Sequence, residues 1–149
     1  MTKEIRKPPK LWLDLQFCEQ IFNESRDLLI ELFDEQIPPF ETRYSGKLEG
    51  ILNSVNQTYD SVHLNPTILD ASSAYFYQLL VGHPFQNGNK RMGVIFTHSF
   101  LLLNDLTFIL EPKDLFVLAI EVVDQSKVTK PENMKEAIKE VFAKGIGGK

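Results

Sequence analysis

The sequence predicts a single all-α domain, a helical bundle with one short extended excursion, over residues 1–149. Two observations support this class. Apolar residues recur at spacings of three, four and seven along most of the chain, which is the period of helices buried on one face. Asparagine, proline and glycine residues fall between these periodic segments, where helices begin and end. Together they indicate five or six helices without an internal repeat.

The first predicted helix spans about residues 13–36, and the pair Pro38-Pro39 closes it. The segment that follows is too rich in glycine, serine and proline for a helix. Within it, residues 43–46 are predicted to form an extended piece with a turn. A short helix over residues 48–55 comes next, before a polar loop.

Asn65-Pro66 is a strong helix start, because asparagine is a preferred N-cap and proline fits the first helical position. The helix is predicted to end at Gly82. Residues 92–103 are apolar nearly all round, which indicates a central helix that is covered on several sides.

The two C-terminal helices span about residues 112–144. Pro112 opens the first, which continues to about Gln125. Thr129 and Glu132 form the Thr-x-x-Glu pattern of a capping box, which predicts the start of the second helix.

Composition excludes several classes of protein. The chain is 43% hydrophobic and 24% charged, and its formal net charge is -4. Its cations are scattered, which argues against direct contact with nucleic acid or an anionic membrane surface. The single cysteine, Cys18, excludes an internal disulfide and lies among apolar residues, so we predict a buried, unreactive thiol. With no signal peptide and no uninterrupted apolar span, we expect a cytoplasmic protein.

The segment GHPFQNGNKR joins two buried helices and carries an unusual set of residues. Gly88 and Asn89 stand where the second helix begins, and main-chain N–H groups without helical partners attract phosphate there. Lys90 and Arg91 lie in the first turn, where the helix dipole disfavours cations unless an anion binds beside them. His83 is a candidate general base for an incoming hydroxyl, because histidine is the side chain that most often takes up a proton in catalysis.

A purely structural interpretation of residues 82–91 is also possible. Gly82 would end one helix, Pro84 would turn the chain, and an asparagine would cap the next helix. This interpretation does not account for the histidine and the two cations together. We therefore favour a site that brings a base to a phosphate.

The stretch HPFQNGNKR resembles the signature of the Fic/Doc superfamily. The Fic branch has H-P-F-x-[D/E]-G-N-G-R, the Doc branch has H-x-F-x-D-[A/G]-N-K-R, and all positions but one fit the Doc-like form. RYSGKLEGIL resembles the flap segment of Doc-like proteins. The resemblance covers about residues 40–142. It implies a Fic-type helical bundle with a short β-hairpin-like flap at about residues 40–48.

The resemblance also implies roles for individual residues. His83 would be the general base that activates a Ser, Thr or Tyr hydroxyl of a protein substrate. Gly88, Asn89, Lys90 and Arg91 would bind the phosphates of ATP. The flap would hold the target by strand-like main-chain pairing, through Arg43, Tyr44, Ser45, Gly46, Lys47 and Leu48.

Lys90 favours the Doc-like reaction. Doc transfers the γ-phosphate of ATP to elongation factor Tu, as a toxin restrained by an antitoxin protein. Fic enzymes have glycine at this position and typically transfer AMP to protein hydroxyls. A lysine side chain would fill the slot that glycine leaves, and the nucleotide would then bind reversed. We predict phosphoryl transfer, with AMP transfer as the alternative.

Asn87 departs from the family pattern. Family members usually have an aspartate or glutamate here, which holds the Mg²⁺ that bridges the phosphates. A neutral amide oxygen is a weaker ligand for this hard cation than a carboxylate. The sequence thus predicts at most a weak Mg²⁺ site at Asn87. It also leaves a third interpretation open, a weakly active or non-catalytic binding module.

Ser45 to Gly50 fits the Ser/Thr-x-x-x-Glu-Gly/Asn pattern of Fic inhibitory helices. The glutamate of such helices pairs with a second arginine three residues beyond the first. That position is Val94 in this chain, so we predict that Glu49 is a flap or helix-start residue instead.

Overall fold

The computed structural model describes residues 4–149 and forms an α-helical bundle, which confirms the predicted class. The helices in this range are α1 (Leu15–Phe33), α2 (Lys47–Val55), α3 (Ile68–Gly82), α4 (Asn89–Leu103), α5 (Pro112–Gln125) and α6 (Pro131–Gly145). Strands occur there as two antiparallel pairs, β1 (Thr58–Tyr59) with β2 (Val62–His63) and β3 (Leu106–Phe108) with β4 (Ile146–Gly148).

Helices α3 and α4 form the centre of the bundle. α3 packs against α2, α4, α5 and α6, and α4 also packs against α5 and β3. Aromatic pairs join α3 to its neighbours in the core, with ring centroids 4.9 Å apart for Tyr75 and Phe100 of α4 and 5.1 Å apart for Phe76 and Phe142 of α6. Both pairs meet edge to face, a favoured arrangement of aromatic rings. None of the helices in residues 4–149 is long and apolar enough to cross a membrane.

Helix α1 is shorter than the predicted range of 13–36 at both ends. The Asp14 carboxylate caps its N-terminus by accepting a hydrogen bond from the Phe17 N–H at 2.7 Å. At the C-terminus, Asp34 takes a left-handed conformation with φ 52° and its N–H bonds to the Ile30 carbonyl. Such a residue ends a helix. The prolines that were predicted to close α1 therefore lie beyond its actual end.

The predicted β-hairpin-like flap at residues 40–48 contains no strand, so this part of the prediction is wrong. Residues 40–42 form a single 3-10 turn, and an extended Arg43 and a second turn lead into α2. The Tyr44 N–H donates instead to the Pro84 carbonyl at 2.9 Å. This bond joins the segment to residues 82–91, the motif loop. The main chain is thus paired with a neighbouring loop rather than with a second strand.

A hairpin does occur elsewhere, in β1 and β2. Asp60 and Ser61 form its tip and both have positive φ, at 54° and 66°. A turn with two consecutive residues of positive φ has a twist that matches the twist of the two antiparallel strands it joins. The sequence predicts only a polar loop for this stretch.

Two predicted helix caps are wrong. The N-cap of α3 is Thr67, whose hydroxyl accepts a hydrogen bond from the Asp70 N–H at 3.0 Å. Asn65 donates instead to the Val55 carbonyl at 3.1 Å, which holds the loop before α3 against α2. The N-cap of α6 is Lys130 rather than Thr129, and the helix starts without a side-chain cap.

Two reactive residue types outside the motif have structural roles. Cys18 is fully buried, and burial raises the pKa of its thiol to about 12, in agreement with an unreactive cysteine. The His98 Nε2 lies 2.9 Å from the Thr107 hydroxyl, which joins α4 to β3. Burial lowers the pKa of His98.

Candidate active site

The motif loop joins the C-terminal end of α3 to the N-terminal end of α4. α3 runs to Gly82, as predicted, and His83 turns the chain in a left-handed conformation with φ 45° and ψ 62°. Left-handed backbone costs on the order of 1–3 kcal/mol for most residues, although histidine is enriched there. The turn leaves the His83 side chain exposed on the wall of a cleft.

Phe85 fixes the loop in the core. Its ring centroid lies 4.7 Å from that of Phe22, 5.9 Å from that of Phe96 and 6.1 Å from that of Phe40. These three rings belong to α1, α4 and the 3-10 turn. One buried side chain therefore holds the loop against three parts of the fold.

Asn89 closes the loop through two hydrogen bonds with the main chain of Phe85. Its Oδ1 accepts from the Phe85 N–H at 2.9 Å, and its Nδ2 donates to the Phe85 carbonyl at 2.8 Å. The side chain is thus used within the loop. The predicted role of Asn89 in binding phosphate consequently rests on its main-chain N–H.

The start of α4 presents a set of main-chain donors. Gly88 is the N-cap with φ 80°, and its carbonyl accepts the first helical hydrogen bond from the Met92 N–H at 2.9 Å. The N–H groups of Asn89, Lys90 and Arg91 therefore have no acceptor within the helix. The positive end of the helix dipole lies at the same place, so this terminus favours an anion.

An open cleft of about 360 Å³ brings the predicted catalytic and phosphate-binding residues together. Its lining consists of His83, Gln86, Asn87, Gly88, Asn89, Lys90 and Arg91. The histidine that ends α3 therefore faces the same space as the donors that begin α4. Gln86 is the one lining residue without a predicted role, because it fills an unrestricted position of the motif.

The flap borders this cleft through main-chain contacts. The Gln86 Nε2 donates to the Thr42 carbonyl at 2.9 Å, next to the bond from Tyr44 to Pro84. Among the predicted docking residues, four are exposed: Tyr44, Ser45, Gly46 and Lys47.

The other two predicted docking residues are engaged elsewhere. Leu48 is completely buried and belongs to the core. The Arg43 guanidinium stacks on the Phe40 ring at 4.2 Å and pairs with the Glu49 carboxylate at 3.3 Å. Glu49 thus lies in the first turn of α2 and binds a flap residue, in agreement with the role predicted for it.

Arg91 is held by residues for which the sequence predicts no role in the site. Its Nε forms a salt bridge with the Glu35 carboxylate, just beyond the end of α1. Its guanidinium also lies over the rings of Phe33 and Phe116, at 5.5 and 4.9 Å from their centroids. No local signal separates Glu35 from the other acidic residues near α1, and the contact joins segments that are distant in sequence.

The residues after Glu35 also contact the motif loop. The Gln36 carbonyl accepts a hydrogen bond from the Asn87 Nδ2 at 2.6 Å. Ile37 is buried against Gly88, where an added Cβ would approach its Cδ1 to 3.3 Å. A side chain at position 88 would be strained by the positive φ and would press against Ile37.

The residues present do not fit an Mg²⁺ ion held by Asn87. Its Nδ2 donates to Gln36, and its Oδ1 accepts from the Gly88 N–H at 2.9 Å. A neutral oxygen that is already hydrogen-bonded is a poor ligand for this cation. Across residues 4–149, no group of three or more His, Cys, Asp or Glu side chains could hold a metal.

We expect Asn87→Asp to make nucleotide binding depend on Mg²⁺. An aspartate cannot donate to the Gln36 carbonyl, so the carboxylate turns away from it and becomes available to a cation. Calorimetry should show ATP binding to the variant roughly tenfold tighter with Mg²⁺ than with EDTA, a difference of about 1.4 kcal/mol. The wild type should change by less than about threefold.

Asn53→Asp is the matched control, because it makes the same exchange at an exposed position of α2 outside the cleft lining. An equal response to Mg²⁺ in both variants contradicts the prediction.

A known protein family matches the chain. The model of the Fic/DOC family matches residues 15–101, more than half of the chain, from the start of α1 almost to the end of α4. No curated protein matches the chain significantly. The matched range contains the entire motif loop, the cleft and the α1 segment that contacts it. On this match and its helical fold, the chain belongs to the Fic/DOC family, whose members generally transfer nucleotide or phosphate groups to proteins.

Proposed function

We propose that the protein transfers the γ-phosphoryl group of ATP to a hydroxyl group of a target protein, as Doc-like members of the family do. The observation that carries this proposal is the cleft itself, where His83 and Lys90 are both exposed beside the donors of the α4 N-terminus. A base, a cation and a phosphate-binding helix start are the groups that such a transfer needs.

The phosphates of ATP bind at the start of α4 in this proposal. The N–H groups of Asn89, Lys90 and Arg91 donate to phosphate oxygens, and the helix dipole adds to their attraction. The Lys90 ammonium contributes a further positive charge. Phosphoryl transfer depends mainly on such positioning and charge stabilisation, so a rigid loop is a suitable support.

Lys90 is the residue that favours phosphoryl transfer over AMP transfer. It is exposed, lines the cleft and forms none of the ion pairs found in residues 4–149. Its long side chain occupies space that a glycine would leave for the nucleotide. ATP therefore binds in the reversed orientation, with the γ-phosphate rather than the α-phosphate next to His83.

His83 acts as the general base. An imidazole nitrogen takes the proton from the Ser, Thr or Tyr hydroxyl of the target, and the hydroxyl oxygen forms a bond to the γ-phosphorus. The bond from that phosphorus to the β–γ bridging oxygen breaks, and ADP leaves with the electron pair. The N–H groups at the start of α4 stabilise the charge on the transferred group and on the departing ADP.

The target segment docks along the flap. Tyr44, Ser45, Gly46 and Lys47 are exposed next to the cleft and offer main-chain groups to an extended peptide. On the likeness to Doc, we propose a translation factor such as elongation factor Tu as the target. The same likeness suggests that the protein is a toxin that an antitoxin protein restrains.

The proposal is tested by incubating the protein with elongation factor Tu, and separately with a cell lysate, in the presence of ATP labelled at either the α- or the γ-phosphate. We expect only the γ-label to reach protein, and mass spectrometry to find an added phosphate. Transfer of the α-label identifies AMP transfer instead and overturns our assignment.

A non-catalytic nucleotide-binding module is a second candidate, and one residue replacement and one contact favour it. Asn87 replaces the usual carboxylate, and Arg91 is paired with Glu35. In this case, calorimetry detects ATP binding while neither label reaches any protein.

A further inference from the structure

We propose that Glu35 acts as an internal anion, which occupies Arg91 until the phosphates of a nucleotide displace it. The proposal deepens the proposed function, because it rests on the binding of ATP phosphates at the start of α4. It assigns a regulatory contact to a residue outside the motif loop.

The Glu35 carboxylate binds where a phosphate oxygen would bind. Arg91 lines the cleft, and its Nε is engaged by Glu35 in a partly buried pair. The side chains are 35% exposed for Arg91 and 22% for Glu35, so water screens the pair only in part. A phosphate beside Arg91 would meet a second negative charge at close range, and the two anions cannot share the guanidinium without repulsion.

The Arg91 side chain is held in the cleft by its neighbours. Its guanidinium lies over Phe33 and Phe116, and its main chain belongs to the first turn of α4. Arg91 thus remains in the cleft when an anion arrives. Relief of the repulsion therefore requires Glu35 to move.

The chain around Glu35 is built so that a short piece can move. Asp34 ends α1, and Ile37 is fixed by burial and by the Arg26 Nε, which donates to its carbonyl at 2.6 Å. Glu35 and Gln36, the 35–36 segment, lie between these two fixed points, and the Glu35 N–H makes one long hydrogen bond, at 3.4 Å, to the Leu29 carbonyl. Its contacts with the motif loop are the Arg91 salt bridge and the bond from Asn87 to the Gln36 carbonyl.

Displacement of the 35–36 segment would change both sides of the cleft together. Arg91 would gain a free Nε–H for a phosphate oxygen, and the Asn87 amide would lose its carbonyl partner. Three charged side chains, Lys90, Arg91 and Glu35, lie near the start of α4. With Glu35 in place, its negative charge cancels that of Arg91, and Lys90 supplies the net positive charge. The wild-type protein accordingly binds phosphates more weakly than its motif alone would.

The test compares wild type with Glu35→Gln, which keeps the size of the side chain and removes its charge. Calorimetry measures the binding of ATP and of inorganic tripolyphosphate, a probe that has the phosphates but no adenine or ribose. We expect the variant to bind both about tenfold more tightly than wild type. Glu31→Gln, an exposed position one turn earlier on α1, is the matched control and should stay within about twofold of wild type.

Equal affinities of wild type and Glu35→Gln overturn the inference, and so does the absence of detectable binding to both. Tighter binding by Glu35→Gln without any transfer of label supports the inference and defeats the phosphotransferase proposal. A second measurement does not depend on how the variant folds. In wild type, the NMR signal of the Arg91 Nε–H should shift when tripolyphosphate is added, and an unchanged signal contradicts the displacement of Glu35.

Discussion

Replacement of His83 by asparagine is expected to lower the rate of phosphoryl transfer by roughly 10²–10⁴-fold, the usual contribution of a general base. Asparagine cannot accept the hydroxyl proton at neutral pH. It does tolerate the left-handed conformation that position 83 adopts, with φ 45°, so the turn into the motif loop should persist. The loss should therefore reflect chemistry rather than altered structure.

The measurements are the rate of γ-label transfer and, separately, the affinity for ATP. Affinity should stay within about twofold of wild type, because His83 does not bind phosphate in the proposed mechanism. His63→Asn makes the same exchange in β2, outside the cleft lining, and should keep its transfer rate. If the His83→Asn variant keeps more than about a tenth of the wild-type rate, His83 is not the general base.

Replacement of Phe85 by alanine is expected to destabilise the protein by about 3–5 kcal/mol, the usual cost of removing a buried phenylalanine ring. The ring is 3% exposed and packs against Phe22, Phe40 and Phe96. Its removal leaves a cavity where α1, α4 and the 3-10 turn meet. We expect a large fall in the midpoint of urea unfolding with little change in the slope.

Phe33→Ala serves as the stability control, since that ring is 61% exposed and should cost less than about 1 kcal/mol. Under conditions where Phe85→Ala is still folded, it should also bind ATP more weakly, because the loop that carries the phosphate donors has lost its support in the core. A destabilisation as small as that of Phe33→Ala would show that Phe85 does not fix the loop.

The motif loop was predictable because its determinants are close together in the sequence. A glycine at the start of a helix, cations in its first turn and a histidine at the end of the preceding helix are all local features. Their proximity in space follows from the short loop that joins them. The predicted base and phosphate-binding residues therefore line one cleft, although the Asn89 side chain is bonded to Phe85, so that its predicted role rests on its main-chain N–H.

Helix ends and the flap were less predictable because they depend on competing partners. Asn65 and Thr67 are both good N-caps, and the hydrogen bond from Asn65 to the Val55 carbonyl leaves the cap to Thr67. Tyr44 lies in a segment that suits a strand, but its N–H is taken by the Pro84 carbonyl. In each case a partner distant in sequence outweighs a local preference.

The sequence alone was sufficient for the helical class and for the residues of the motif loop, because periodicity and loop chemistry act over a few residues. It could not indicate that Glu35 pairs with Arg91 or that the Gln36 carbonyl binds Asn87. Those contacts depend on where Asp34 ends α1 and on how α1 packs against the motif loop. Such packing is a property of the folded chain, and through it an ordinary glutamate comes to lie against the arginine of the candidate active site.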